Sequence, residues 1–299
     1  PESHERGCDG VTVHGRTATP RGSGEPPAGM HRPEVIGIVV ALPAEARGML
    51  DTVPARGALT HVSEHVLLCR AGVGSRRAAA AGQGLIDAGV GALVSWGCAA
   101  GLQAGRPAGT LVLADRVVRP THRNESREHA GTGDETRSPT QAIASTWLDR
   151  LATRLAPELN TVRGAIADAG GILRTADDKR ALACTGADAA DMETAAVAEV
   201  AARAGVPWVA VRAVADGHDA TVPASVVTAL DDDGRLRVMP FAAALARRPA
   251  DALALPRLAR GYRAALTALR TVRRLAGPTL LAPGLEALSP VAAPGVARL

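Results

Sequence analysis

The stretch Val35-Ile-Gly-Ile-Val-Val-Ala-Leu42 constrains this chain more than any other, being of strand length, free of charge and rich in β-branched residues. A strand exposed on one face alternates apolar with polar side chains, and this one does not. It is therefore expected to be covered on both faces, as in a parallel sheet between layers of helices. The next segments repeat the theme. Pro43 to Leu50 reads as a short helix, and His65-Val-Leu-Leu-Cys-Arg70 as a second strand running into Gly72-Val-Gly74. Arg76 to Ala88 is an Ala-rich helix with its C-terminal glycine at Gly89. Gly91 to Trp96 completes that βαβ unit and enters Gly97-Cys-Ala-Ala-Gly101, expected as a turn, before a further strand over Gly109 to Ala114.

The second half continues with a helix from Ser145 to Leu155, a strand from Val162 to Ala167, and a helix from Met192 to Ala204 stopped by Gly205 and Pro207. A last buried strand covers Val206 to Val214. Strands alternating with helices give an α/β fold: a single domain whose central mixed sheet is mostly parallel and flanked by helices. Ligands of such sheets sit beyond the carboxyl ends of the strands. Here those ends carry Glu45, Gly97-Cys98, Gly170-Gly171 and Asp216.

With 299 residues, 46% of them hydrophobic, one large core is within reach. Only 2% are aromatic, so Ala, Val and Leu must fill it. The formal charge of +4 suits an acidic partner, yet Arg and Asp are interspersed and stacking aromatics are scarce, which argues against nucleic acid. Cys8, Cys69, Cys98 and Cys184 show neither zinc nor disulfide spacing, so a reducing, cytoplasmic setting is expected. The chain has no apolar run long enough to span a bilayer, and its first 29 residues lack the apolar core of a secretory leader. Residues 1–33 read as a disordered extension with Met30 as a start, 34–238 as the catalytic domain, 239–277 as a basic helical segment packed on it, and 278–299 as a flexible tail. Residues 119–140, almost without apolar side chains, read as a mobile loop.

Three motifs resemble the nucleoside phosphorylase/nucleosidase superfamily, in its methylthioadenosine/S-adenosylhomocysteine nucleosidase branch. Ile36-Gly-Ile-Val-Val-Ala-Leu-Pro-Ala-Glu45 is similar to its opening strand and acidic turn, and Ser95-Trp-Gly-Cys-Ala-Ala-Gly101 to its Gly-Ser-Ala-Gly-Gly turn. Asp191-Met-Glu-Thr-Ala-Ala196, with Val211-Arg-Ala-Val-Ala-Asp216, is similar to its Glu-Met-Glu-Ala and strand-Ser-Asp pair. Asp231-Asp-Asp-Gly-Arg-Leu-Arg-Val238 and the Arg-rich stretch after it resemble the hopanoid-associated phosphorylases instead. That resemblance implies cleavage of the N-glycosidic bond of an adenine nucleoside, adenosylhopane in particular. Methylthioadenosine, S-adenosylhomocysteine or futalosine is the alternative substrate, and a non-catalytic nucleoside-binding module the second alternative.

Cleaving a ribose–purine bond takes a proton for the base, support for a cationic sugar and a nucleophile on the opposite face, all of which carboxyl groups can serve. The resemblance implies Asp216 as the acid at N7 of adenine; by itself Asp216-Gly217 is a common turn pair. It implies Glu193 on the ribose hydroxyls with Met192 under the sugar. Asp191 at a helix start is equally a cap. Glu45 stands where phosphorylases of the superfamily wrap phosphate, and Ser95 where they place an arginine, so hydrolysis is expected over phosphorolysis. Arg47 or Arg70 could still build a phosphate site. Ile172 and Leu173 are expected against the base, and Gly97, Cys98 and Ala99 to line the pocket. Cys98 has no partner histidine at readable spacing, and Gly72-Val-Gly74 lacks the rest of a dinucleotide fingerprint. Neither a metal nor a cofactor is implied.

The expected partners are therefore an adenine nucleoside, lipid-tailed in the sense of the resemblance, and a second copy of the chain, a dimer. In the tail, Leu258, Tyr262, Ala265, Leu266, Leu269, Val272 and Ala276 form one helical stripe opposite Arg257, Arg260, Arg263, Arg270 and Arg274. Such a helix either packs on the core or meets the anionic inner face of the cell membrane.

Overall fold

Residues 34–119, 139–231 and 233–288 are described by the computed structural model. The expected N-terminal extension, most of the expected loop and the end of the tail lie outside these residues. Eight strands form one sheet in the order β2-β3-β1-β4-β7-β6-β5-β8. They are β1 (Ile36–Val40), β2 (Leu59–Ser63), β3 (Val66–Arg70), β4 (Ala92–Gly101), β5 (Leu111–Val118), β6 (Thr161–Asp168), β7 (Ala189–Asp191) and β8 (Trp208–Asp216). The pairings β1–β3, β1–β4, β4–β8, β5–β6 and β6–β7 are parallel, and β2–β3, β4–β7 and β5–β8 antiparallel. The sheet is thus mixed and mostly parallel, as its apolar runs require.

Every residue of β1 and β3 is buried, because helices cover both faces. On one side α3 (Pro139–Leu155) and α8 (Leu255–Ala276) bring Trp147, Leu148, Leu269 and Val272 into one core with Ile36, Ile38 and Val40. On the other, α2 (Ser75–Asp87) and α5 (Thr194–Ala204) pack Leu85, Val197 and Val200 against Val39 and Leu93. The remaining helices are α1 (Pro43–Ala46), α4 (Ala176–Ala183), α6 (Ala224–Ala229) and α7 (Val238–Arg247). Strand β4 pairs with β1 along its first half, with β8 throughout, and with β7 at its end, so β4, β7, β6, β5 and β8 close into a ring.

Several expectations need correction. The segment Gly97–Gly101 is no turn: it continues β4, with a bulge opposite β8 at Ala99/Ala100. The helix expected over Pro43–Leu50 has one turn, and the helix expected from Met192 starts at Thr194. The apolar stripe of α8 faces protein, with Ala265, Leu269, Val272 and Ala276 buried and Leu258, Tyr262 and Leu266 half-buried. Lipid contact through that face is excluded. Its fit is close: at Gly261 an added Cβ would lie 2.2 Å from the Ala215 carbonyl oxygen.

Candidate active site

Because β1, β4 and β8 are parallel neighbours, their carboxyl ends bring Glu45, Gly97-Cys98 and Arg212 to one place. The chain turns sharply at Pro43, and the Glu45 side chain folds back over the end of β1. Its Oε2 accepts from Ala41 N at 3.1 Å and Leu42 N at 2.9 Å, and its Oε1 from Cys98 N at 2.8 Å. Those bonds and Arg212 favour the carboxylate, but burial of Glu45 outweighs them and raises its pKa. Gly97, opposite Arg212 in register, is required sterically: a Cβ there would come within 2.6 Å of both Glu45 Oε1 and Arg212 Nη1.

Arg212 is the hub. Its Nε lies 2.6 Å from Asp191 Oδ2 and 3.2 Å from Thr194 Oγ1, its Nη2 donates to Ser95 Oγ at 2.6 Å, and Glu193 Oε2 is 4.0 Å from Nη2. Asp191 also caps α5, its Oδ1 accepting from Glu193 N at 3.2 Å and Thr194 N at 3.0 Å. It is thus spent on the helix and the arginine. Three buried carboxyl groups face one guanidinium, so the cluster is over-supplied with negative charge. Glu193 yields: burial first, with Asp191 and Glu45 adding to it, lifts its pKa to about 7 despite Arg212. Near neutrality it can therefore both donate to and accept from hydroxyl groups.

Glu193 Oε1 accepts from Gly74 N at 2.8 Å, and Gly72 and Gly74 have φ of 87° and 102°. The glycine loop presents its N–H to a carboxylate of the protein, leaving that N–H engaged. With Glu193 changed to Ala, turnover of ribonucleosides is expected to fall at least about tenfold further than that of their 2′-deoxy analogues, since only the former lose a contact to the 2′-hydroxyl. Parallel kcat/KM series on the two substrate sets check this, and equal losses would limit Glu193 to positioning Gly74.

Asp216 ends β8 just past the bulge that shifts its register with β4, so that it pairs with Ala100 while Arg212 pairs with Gly97. Burial raises its pKa, while the Lys179 ammonium bonded to its Oδ2 pulls the other way. Cys98 lies close enough for Asp216 and Glu45 to hold its thiol well above the usual range, after burial as the main cause, which makes it a poor nucleophile. Ala99 is buried beside it and Met192 half-buried beside Glu193. Ile172 and Leu173 lie in the β6–α4 loop, which is joined to the segment after Asp216 by a 2.8 Å bond from Val222 N to Arg174 O. Leu173 packs inward against the core, whereas Ile172 is 42% exposed.

Sequence reasoning missed Arg212, Lys179 and Thr194. An arginine inside the apolar run Val206–Val214 was the available signal, since a charge on a buried strand needs a partner. The two arginines considered for phosphate are elsewhere: Arg47 is exposed, and Arg70 is held by Pro54 O at 2.9 Å and Asp233 Oδ1 at 3.0 Å. A cavity of about 790 Å³ lies between the Gly105–Ala108 turn, Asp216–Thr221 and the first half of α8, and of the candidate site residues it touches Asp216 alone.

The sequence profile of the phosphorylase superfamily matches residues 35–248, and the chain belongs to that family. No curated protein matches it. Among solved structures it is similar to the futalosine hydrolase of Helicobacter pylori strain 26695, at 16% identity and a TM-score of 0.52 over 80% of this chain and 96% of that one. It is also similar to the 5′-methylthioadenosine/S-adenosylhomocysteine nucleosidase of S. pneumoniae, solved with a transition-state inhibitor, at 20% identity and a TM-score of 0.50 over 79% of this chain and 99% of that one. These likenesses show the fold.

Proposed function

We propose that the chain hydrolyses the N-glycosidic bond of an adenine nucleoside. The observation that carries this is the buried cluster at the end of β1, where three carboxyl groups surround Arg212. A phosphate dianion would meet net negative charge there, whereas a water can be held between Glu45 and the arginine. In the reaction Asp216 gives its proton to N7, the C1′–N9 electron pair passes into the purine, and Glu193 holds the ribose hydroxyls. Glu45 accepts the proton of the water that adds to C1′. The two similar structures, a futalosine hydrolase and a methylthioadenosine/S-adenosylhomocysteine nucleosidase, support the reaction class.

The substrate we propose is adenosylhopane, supported by the resemblance of residues 231–238 and the Arg-rich segment to the hopanoid-associated phosphorylases. With the α8 stripe buried, membrane contact falls to α7. Its outward residues are apolar, Val238 being 74% and Met239 79% exposed, with Leu253 at 86% beyond its end. Exposed Arg235, Arg237, Arg247 and Arg248 flank it, a pattern suited to anionic lipid. No helix among the described residues is long and apolar enough to cross a membrane. Adenine release from adenosine, methylthioadenosine and adenosylhopane on phosphatidylglycerol vesicles tests both proposals. The expected result is the highest kcat/KM on vesicle-borne adenosylhopane, reduced by Val238→Glu with Met239→Glu while methylthioadenosine turnover is unchanged. Preference for a soluble nucleoside would contradict the hopane substrate.

A further inference from the structure

Of 34 basic residues in the chain a single one is lysine, Lys179, every other being arginine. That lysine is also the most deeply buried cation among the described residues: its side chain is 0% exposed, and its Nζ donates to Asp216 Oδ2, to Gly217 O at 2.7 Å and to Ala220 O at 2.9 Å. Three protons thus have three acceptors, all on the segment that begins with the proposed acid. Removing an ammonium group from water is costly unless it is fully satisfied, so a mere staple would be better made of apolar side chains. Nor would arginine serve, since its planar fork cannot give three converging bonds from one nitrogen. A composition that otherwise uses arginine throughout keeps lysine at the one place where a compact three-donor cation meets this carboxyl group.

We infer that Lys179 is a positioning residue for the acid, holding one oxygen of Asp216 so that the other faces the base, and balancing the charge left on Asp216 once its proton has passed to N7. The inference rests on the assignment of Asp216 as that acid. The proton balance is simple: the Asp216 O–H bond breaks, the N7–H bond forms, and the new carboxylate finds a cation already in contact. A preformed partner that gains strength only as the carboxylate develops stabilises the transition state over the ground state. Besides Lys179, the titratable groups around Asp216 among the described residues are Cys98 on β4 and, lining the same cavity, Arg106, His218, Asp219 and Arg257, while the Arg212 cluster serves Glu45 and Glu193. The lysine also pins Gly217 and Ala220, which follow the acid, so Asp216 and its loop are fixed together.

Lys179→Met keeps the length and apolar stem and removes the charge. With it, kcat is expected to fall about tenfold to a hundredfold with KM changed only a few-fold, part of the usual general-acid contribution. The alkaline limb of the kcat profile should move up by about one pH unit or more, because burial is then unopposed and Asp216 keeps its proton to higher pH. In Lys179→Ala, added ethylamine should restore turnover saturably while ethanol does not. A loss of kcat that merely follows the folded fraction, with an unmoved limb and no amine rescue, would overturn the inference. Should the variants fail to fold, the unaltered protein labelled with 15Nζ-lysine gives a single side-chain signal. That signal must shift when adenine binds, and an unresponsive signal would equally overturn the inference. Asp216→Asn separates the two levels: if it stays active, the assignment of the acid has failed, whereas an inactive Asp216→Asn beside an unshifted Lys179→Met condemns the lysine role alone.

Discussion

Asp216→Asn is expected to lower turnover by about two orders of magnitude or more, the scale of a general acid, while adenine still binds. Asparagine keeps the shape and can still donate a hydrogen bond, but it cannot hand a proton to N7. Its amide oxygen accepts from the Lys179 ammonium as the protonated acid does, so that partner is neutral in both proteins and the melting temperature is expected to change little. Single-turnover kinetics then read the loss in the chemical step directly. Turnover within a few-fold of the parent would remove Asp216 from the mechanism.

Glu45→Gln is the second large effect, with hydrolysis again falling about a hundredfold or more and KM little changed. Glu45 accepts three backbone N–H bonds with its two oxygens, and glutamine can offer only one oxygen. If that oxygen stays with Ala41 and Leu42, the amide N–H₂ points at Cys98 N–H, donor against donor, at a cost of about 1–3 kcal/mol. The variant is therefore expected to be both slower and less stable. Thermal unfolding read beside kcat tells the roles apart: a lower melting point with unchanged turnover would leave Glu45 as a fastener of β1 to β4 and nothing more.

How much of the fold could be read from the chain depended on whether a signal was local. The unbroken run at Val35–Leu42 announced a doubly covered strand because burial on both faces leaves no place for polar alternation, and β1 is buried throughout. Glycine and proline likewise marked the ends of α2 and α5. Strand β2 escaped because its residues are mostly half-exposed or exposed at a sheet edge, and β7, Ala189–Asp191, because three residues of low β-propensity pair only through their neighbours. Helix α4 was missed although Thr175 and Asp178 form a capping box, since its exposed face hid the period. At the site, Glu45 and Glu193 could be picked out as acids at element ends. Their meeting at Arg212 and the hold of Lys179 on Asp216 are contacts across the fold, visible in sequence only as charges on otherwise apolar or helical stretches.

The identity of the sugar product tests hydrolysis most directly. The enzyme is incubated with methylthioadenosine in phosphate-free buffer and again in saturating phosphate, and the sugar is resolved by anion exchange. The crowd of carboxyl groups around Arg212 predicts the same rate of adenine release in both and a free, uncharged sugar in both. A rate that depends on phosphate, with a sugar 1-phosphate as product, would contradict it.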